Sequence, residues 1–418
     1  LLPKNYNFKL NPRISKITTQ NCGLCGTGCE IDVNTQSGRV TVINPVENES
    51  FNERNLCFAG KFGWQIFGQT DRILEPLSKT ENDYEKCEDI SVILSEIKEK
   101  VANAKSKKIY ISPSVSLEEM LVMKQVAKNI GAEISSLSYR ENFTDKIAKT
   151  KTYNDIKKAE VIVLVGKISH TLKILARNEQ RSGKKLFIFT DKKSEFNNFA
   201  DELFALSELK DFNANLAKTL FIYDRHNLTE KTIWQTWKKA TEICDFAEGS
   251  GVLETTSYAN FKGLQALNIA EGVEEKIDLG IYYGEKRSQN IAKFSVMFNS
   301  HLGENETANF VLPKPTYLEM DGTTIANDGR ICEFKNPQKS AMFSEMLETL
   351  KIAGLLGNSD EEIWLEKAKH ISILQGEEMS KNELTKYLNS IENLQTEKFK
   401  KVTVQRKLIA NLKESTKK

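Results

Sequence analysis

Four cysteines, Cys22, Cys25, Cys29 and Cys57, follow one another as C-x2-C-x3-C and then, after 27 further residues, a fourth thiol. Four thiolates converging on one point can hold an iron-sulfur cluster or a zinc ion. Structural zinc usually draws its ligands from two C-x2-4-C knuckles. Here three thiols crowd into one loop and the fourth stands alone, a layout that favours a 4Fe-4S cubane. The loop, NCGLCGTGCE, carries Gly23, Gly26 and Gly28, which let the backbone bend around a bulky anionic object and turn its amides toward inorganic sulfide. A disulfide framework requires an oxidising compartment, and the seven cysteines form an odd set with no secretory leader before them. Cys87, Cys244 and Cys332 stand isolated and read as buried small hydrophobes.

The elements that must position these thiols follow from the periodicity. EIDVNTQSGRVTVINP reads as two strands around Gln36-Ser37-Gly38, with Ile31, Val33, Val40 and Val42 alternating toward one face. The run after Cys57 brings Phe58, Phe62, Trp64 and Phe67, either as core or as a dry lid over the cluster. From residue 88 the pattern changes to helix, then the strand KKIYISP, then a capping box, Ser116 with Glu119, opening a helix that Gly131 closes. AEISSLS is a further strand. VIVLV, residues 161–165, is apolar throughout, as a parallel strand covered on both faces should be. With a helix from about Thr171 to Ser182 and the strand LFIFT it makes a right-handed βαβ unit. Residues 208–245 read as helical, with Trp234 and Trp237 on one face, and 250–272 as loop and helix. LGIYYG and FSVMFNS are strands. The stretch with Asp321-Gly322 and Asp328-Gly329 predicts an irregular element of hairpin character.

The fold class expected is α/β: a small N-terminal β-rich iron-sulfur domain at 1–78, then open, mostly parallel, dinucleotide-like α/β domains at 79–357. These include a βαβ segment at 156–205 and a return segment at 275–335; a charged helical tail occupies 358–418. The turn after VIVLV, GKISHTLK, has one glycine and lacks the G-x-G-x-x-G that admits a pyrophosphate, and no Walker motif occurs, so nucleotide binding is not expected. His170 in that turn reads as a capping or surface residue. Lys plus Arg (59) nearly balance Asp plus Glu (57), for a net charge of +2, which gives no argument for nucleic acid as partner. No apolar run is long enough to cross a bilayer, so direct membrane insertion is not expected either.

Taken together, CGLCGTGCEIDV, GRVTVINP and NLCFAGKFGWQIFGQTDRILEPL resemble the amino-terminal iron-sulfur segment of the molybdopterin oxidoreductases. That group includes formate dehydrogenases, nitrate reductases and the large iron-sulfur subunit of complex I. AEVIVLVGKISH with RSGKKLFIFTD is similar to the family's dinucleotide-like domain, and ETANFVLPKPTYLEMDGTTIANDGRICEF to its ADVVLP and DGT element. The resemblance implies one 4Fe-4S cluster on Cys22, Cys25, Cys29 and Cys57. It separates a catalytic branch from one that only carries electrons. Where catalytic relatives place a basic residue two positions after the fourth cysteine, this chain has Ala59, with Lys61 two further on. No cysteine stands between Cys87 and Cys244 to ligate molybdenum, and nothing around Asp155 looks like the family's ligand loop. The resemblance thus implies a complex I peripheral-arm subunit, an NADH:quinone-type oxidoreductase component without molybdopterin, in which no catalytic residue is named and a catalytic site of its own is left open. Its N-terminal ferredoxin-like domains would precede Leu1. Such a protein would be cytoplasmic, held at the inner face of the cell membrane by other subunits of a respiratory complex. A catalytic molybdopterin enzyme such as a formate dehydrogenase, and a non-redox zinc-binding assembly subunit, are the alternatives.

Overall fold

The apolar run Val161–Val165, buried at every position, forms the middle strand of a five-stranded, wholly parallel sheet. The computed structural model from which this follows describes residues 11–356, except 12, 48–49, 69–70, 82, 88, 140–150, 192–197, 214–216, 247–248, 274, 286–291 and 304–305. Lys185–Phe189 pairs on one side of the middle strand and Thr219–Asp224 on the other, with Glu202–Phe204 and Gly251–Thr255 at the edges. The crossover helix His170–Arg181 begins where Ser169 accepts a hydrogen bond from the Leu172 N–H.

Two of the expected assignments change here. Thr219–Asp224 lies inside the stretch expected to be helical, yet it is a strand buried at all six positions. Gly251–Thr255 likewise replaces expected loop. A strand covered on both faces shows no alternation, so a short apolar run such as LFIY carries no period that distinguishes it from buried helix. Only Glu230–Phe246 of that stretch is a long helix. Its Trp237 is 1% exposed in the core, whereas Trp234 is 50% exposed and points outward.

A second, eight-stranded sheet has six parallel strands in the order Ala270–Glu271, Glu133–Ser136, Lys107–Ile111, Ile277–Tyr283, Ala292–Asn299 and Phe310–Pro313. The antiparallel hairpin Leu77–Lys79 and Tyr84–Lys86 completes it. The helix Leu117–Ile130 packs on it. Its capping box forms as expected, Ser116 and Glu119 bonding reciprocally, and Gly131 ends it in the left-handed conformation.

The same helix buries Glu118, whose carboxylate accepts from the Thr323 N–H at 2.8 Å. Burial is the largest influence and pushes this carboxyl up to about 7 from 4.5. The folded state therefore holds the proton more tightly than the unfolded chain. Stability should be greatest below pH ~4.5 as far as this group is concerned, and should fall as pH rises to ~7, with a slope approaching about 1.4 kcal/mol per pH unit. Glu118→Gln keeps an acceptor for Thr323 and is expected to flatten that slope in denaturant titrations; an unchanged pH profile would contradict the assignment.

At the amino-terminal end, Lys16–Asn21, Glu30–Gln36 and Arg39–Pro45 form an antiparallel sheet. The turn at Ser37 and Gly38 is where it was expected, and both residues have positive φ. The register shifts near Asn34 and Thr35, so Val33 pairs with Ile43 and Ile43 joins Ile31 and Val33 as fully buried. Val40, expected on that face, is only partly covered. The bulge moves the inward face by one residue, which strict alternation does not anticipate. The hairpin Gly322–Ile325 with Ile331–Phe334 turns through Asp328-Gly329 and docks on the first strand: Glu333 N–H donates to Asn21 Oδ1 at 3.0 Å and Lys335 N–H to Gln20 Oε1 at 3.1 Å. Among the described residues no helix is long and apolar enough to cross a membrane. The expected helical tail lies outside the described residues.

Candidate iron-sulfur site

Asn21 and Glu30 face each other at the end of two paired strands, so residues 22–29 are the connection between them. Cys22 N–H donates to the Cys29 carbonyl at 2.8 Å and closes the neck of this loop. Cys57 arrives from the other direction as the N-cap of the short helix Phe58–Phe62, its Sγ accepting from the Gly60 N–H at 3.3 Å.

The four sulfurs feel one another. Burial is the first cause that raises the Cys22, Cys25 and Cys29 thiols. Charge adds to it: Cys25 and Cys57 act on Cys22, Cys57 acts on Cys25, and Cys25, Cys22 and Cys57 act on Cys29. Every pair of the four is thus within electrostatic reach, and all four are free of disulfides. Buried thiols that repel each other as thiolates need a cationic core among them to ionise. Four thiolates on one zinc, at about 2.3 Å each, would stand roughly 3.8 Å apart. Among the described residues no group of three or more His, Cys, Asp or Glu is placed to hold a single ion.

The loop's polarity is sorted by its neighbours. Its carbonyls are tied outward: Gly26 O accepts from Asn327 N–H at 2.7 Å and from the Tyr153 hydroxyl at 3.1 Å, Thr27 O from Arg330 Nη2 at 3.0 Å, and Gly28 O from Asn21 Nδ2 at 3.0 Å. Its donors face the thiols, with Leu24 N–H directed to Cys22 and both N–H and hydroxyl of Thr27 to Cys25. Thr27 also reaches Ser169 at 3.2 Å, and the Thr171 hydroxyl lies 3.6 Å from Cys29 Sγ. The positive end of the helix His170–Arg181 therefore points at the thiol group. Sequence reasoning named none of Tyr153, Thr171, Tyr317, Asn327 and Arg330 as site residues. For Tyr317, Asn327 and Arg330 the signal was the resemblance over 306–334; no spacing rule ties Tyr153 and Thr171 to the cysteines.

Gly28 shows how tightly the loop is held. Its φ is +60°, and a Cβ built there would stand 2.6 Å from Cys332 Sγ. Left-handed backbone costs a side chain about 1–2 kcal/mol, and overpacking adds to that. Gly28→Ala is expected to destabilise by about 2–3 kcal/mol in guanidinium unfolding. Adding Cys332→Ala should recover part of the loss; no recovery would mean that the clash is not with Cys332.

Cys332 itself is buried, as expected of a small hydrophobe, and burial raises its thiol to about 11. Cys87 is only partly buried. The Cys244 side chain lies outside the described residues. The expected aromatic lid divides: Trp64 and Phe67 pack against the cysteine core, while Phe58 is 66% exposed. A five-residue helix can turn only one side inward, and Cys57 and Gly60 take it. His170 is exposed at the helix start, and Ser169 does the capping. Lys61 Nζ donates to Asn44 Oδ1 at 2.8 Å. Asp155 accepts from the Thr152 N–H and hydroxyl at 2.8 and 2.9 Å, a local turn. Most of the segment that the family would use for a molybdenum ligand loop lies outside the described residues.

The carboxyl ends of the parallel strands come close to the loop. Asp224, ending its strand, accepts from the Ser257 hydroxyl and the His226 N–H at 2.9 Å each, and its charge raises the Cys25 thiol. Glu285, just past Ile277–Tyr283, accepts from Ser136 and Ser138 hydroxyls at 3.0 and 2.9 Å. Arg225 is bound to Glu254 through two hydrogen bonds, at 3.1 and 3.2 Å.

Residues 15–68 match the molybdopterin oxidoreductase Fe4S4 domain. NADH-quinone oxidoreductase subunit 3 of Thermus thermophilus is 23% identical over 375 residues, covering 75% of this chain and 47% of the relative. YrhE of Bacillus subtilis, a formate dehydrogenase candidate, is 26% identical over 233 residues, covering 50% of this chain and 24% of the relative. The chain thus spans less than half the length of these curated relatives. Acetylene hydratase from Pelobacter acetylenicus superposes with a TM-score of 0.57 at 10% identity, over 91% of this chain and 73% of that one, a likeness of fold.

Proposed function

We propose that Cys22, Cys25, Cys29 and Cys57 bind one 4Fe-4S cluster, a reading supported by the match of residues 15–68 to the molybdopterin oxidoreductase Fe4S4 domain. We propose further that the protein is an iron-sulfur electron-transfer or structural subunit of a multisubunit NADH:quinone-type oxidoreductase. The observation that carries this reading is the loop holding Cys22, Cys25 and Cys29, whose carbonyls are bonded outward and whose donors face the sulfurs, together with Cys57, which arrives on a separate helix start and whose charge reaches all three. When bound, such a cluster supplies one-electron transfer. The chain's own residues would then tune it. Leu24, Thr27 and Gly60 donate to thiolates, the helix His170–Arg181 offers its positive end, and Trp64 and Phe67 limit water.

The NADH:quinone assignment is favoured by the Thermus relative, which aligns over three quarters of the chain. The absence of molybdopterin from the working protein is part of the same proposal. In open α/β sheets ligands settle at the carboxyl ends of strands, and here those ends present Asp224, Glu254 and Glu285, carboxylates already committed to protein partners. They are poor company for a phosphate-bearing cofactor, and the guanidinium buried beside them, Arg225, is held by Glu254. The partners would be other subunits of a respiratory complex, with the protein peripheral to the inner face of the cell membrane through them and no nucleic acid involved.

Molybdenum and tungsten analysis of anaerobically purified protein tests the branch. Less than a tenth of an equivalent of either metal is expected alongside a dithionite-reducible cluster. A stoichiometric amount of either, with oxidation of formate, would replace this reading by the catalytic one.

A further inference from the structure

Tyr317 is 8% exposed, and its buried hydroxyl has no hydrogen-bond partner among the described residues. A buried hydroxyl without a well-placed partner is costly, and the side chain that acts on this one as a hydrogen-bonding group is Cys22. Its surroundings are the thiol group. The ring packs in one core with Cys22 and Cys29. It lies so close to the ligand loop that a Cβ at Gly23 would stand 2.6 Å from Tyr317 Cβ. Edge contacts with Phe67 and Phe334, at 5.9 and 6.2 Å between centroids, fix its direction. The charges its hydroxyl feels are those of Cys22 and Cys57. A second hydroxyl approaches from another element, Thr171 at 1% exposure, 3.6 Å from Cys29 Sγ.

We propose that the Tyr317 and Thr171 hydroxyls donate to the sulfurs of the cluster at Cys22 and Cys29 and thereby set its reduction potential. This rests on the cluster reading above. An added electron makes the sulfurs more basic, so an O–H donor stabilises the reduced state more than the oxidised one and raises the potential. Both are positioning residues: they hold protons at sulfur and do not ligate iron.

The test is an EPR-monitored redox titration of the full chain, purified anaerobically with its cluster. At a fixed ambient potential, Tyr317→Phe and Thr171→Val are each expected to lower the reduced-to-oxidised ratio about tenfold, a shift of ~59 mV for a one-electron couple. Thr171→Ser, which keeps the hydroxyl, should leave it unchanged. A structural role alone would change iron content or stability without this pattern. Should Tyr317→Phe fail to assemble a cluster, 3-fluorotyrosine placed at 317 keeps the ring and makes a stronger donor; its expected effect is a rise in potential. Assembled variants with the wild-type potential, or no rise with 3-fluorotyrosine, would overturn the proposal. Wild-type protein that binds neither iron nor sulfide would instead remove the cluster reading itself, and this inference with it.

Discussion

Replacing Cys25 by Ser is expected to leave the protein without its cluster, iron and acid-labile sulfide falling from about four each per chain to below one. The thiol at 25 sits at the centre of the loop, flanked by backbone that is already bonded outward at Gly26, Thr27 and Gly28, so no neighbour can swing in to replace it. A serine hydroxyl ionises far less readily than a thiol, and burial makes this worse. The second consequence is structural. The three-stranded sheet contributes few fully buried apolar residues, chiefly Ile31, Val33 and Ile43, and a small metal domain of that kind draws much of its stability from the metal. Limited proteolysis should therefore cut within residues 20–70 first in the variant and not in the wild type. Full iron content together with unchanged protease resistance would refute Cys25 as a ligand.

Glu254→Ala is expected to destabilise the protein by about 3–5 kcal/mol. The Arg225 side chain is 2% exposed and receives both of its closest carboxylate contacts from Glu254. The Tyr223 hydroxyl also bonds to that carboxylate, and Trp237 Nε1 donates to the Tyr223 oxygen at 2.5 Å. Truncating Glu254 removes the carboxylate to which both the buried guanidinium and the buried phenol are bonded. Because the network lies within the five-stranded sheet, the loss should appear in the unfolding transition of that sheet, read by denaturant titration with Trp237 fluorescence. The double replacement Arg225→Met with Glu254→Leu removes both charges and is expected to recover most of the stability. A loss below about 1 kcal/mol for Glu254→Ala would show that water reaches the pair and screens it.

The sequence disclosed what local rules govern. The capping box at Ser116 and Glu119, the turn at Ser37-Gly38 and the all-apolar VIVLV each reflect a constraint carried by a few adjacent residues, and each is found in place. What stayed hidden depends on pairing across the chain. Thr219–Asp224 reads as helix until Val161–Val165 and Gly251–Thr255 are seen on either side of it. Ile43 faces inward only because a bulge shifts the register. The site divides in the same way. Cys22, Cys25, Cys29 and Cys57 could be proposed as ligands from type and spacing, whereas Thr171 lies against Cys29 and Tyr317 packs against the loop from a helix start and a loop that no motif connects to them. The aromatic run after Cys57 was legible as apolar but not as divided between core and solvent, since that depends on which side of a short helix the cysteine occupies.

The most direct measurement is the iron and acid-labile sulfide content of anaerobically purified protein, taken with its EPR spectrum after dithionite reduction. About four irons and four sulfides per chain with a paramagnetic reduced state are predicted. A colourless, EPR-silent protein carrying about one zinc would contradict the account at its base.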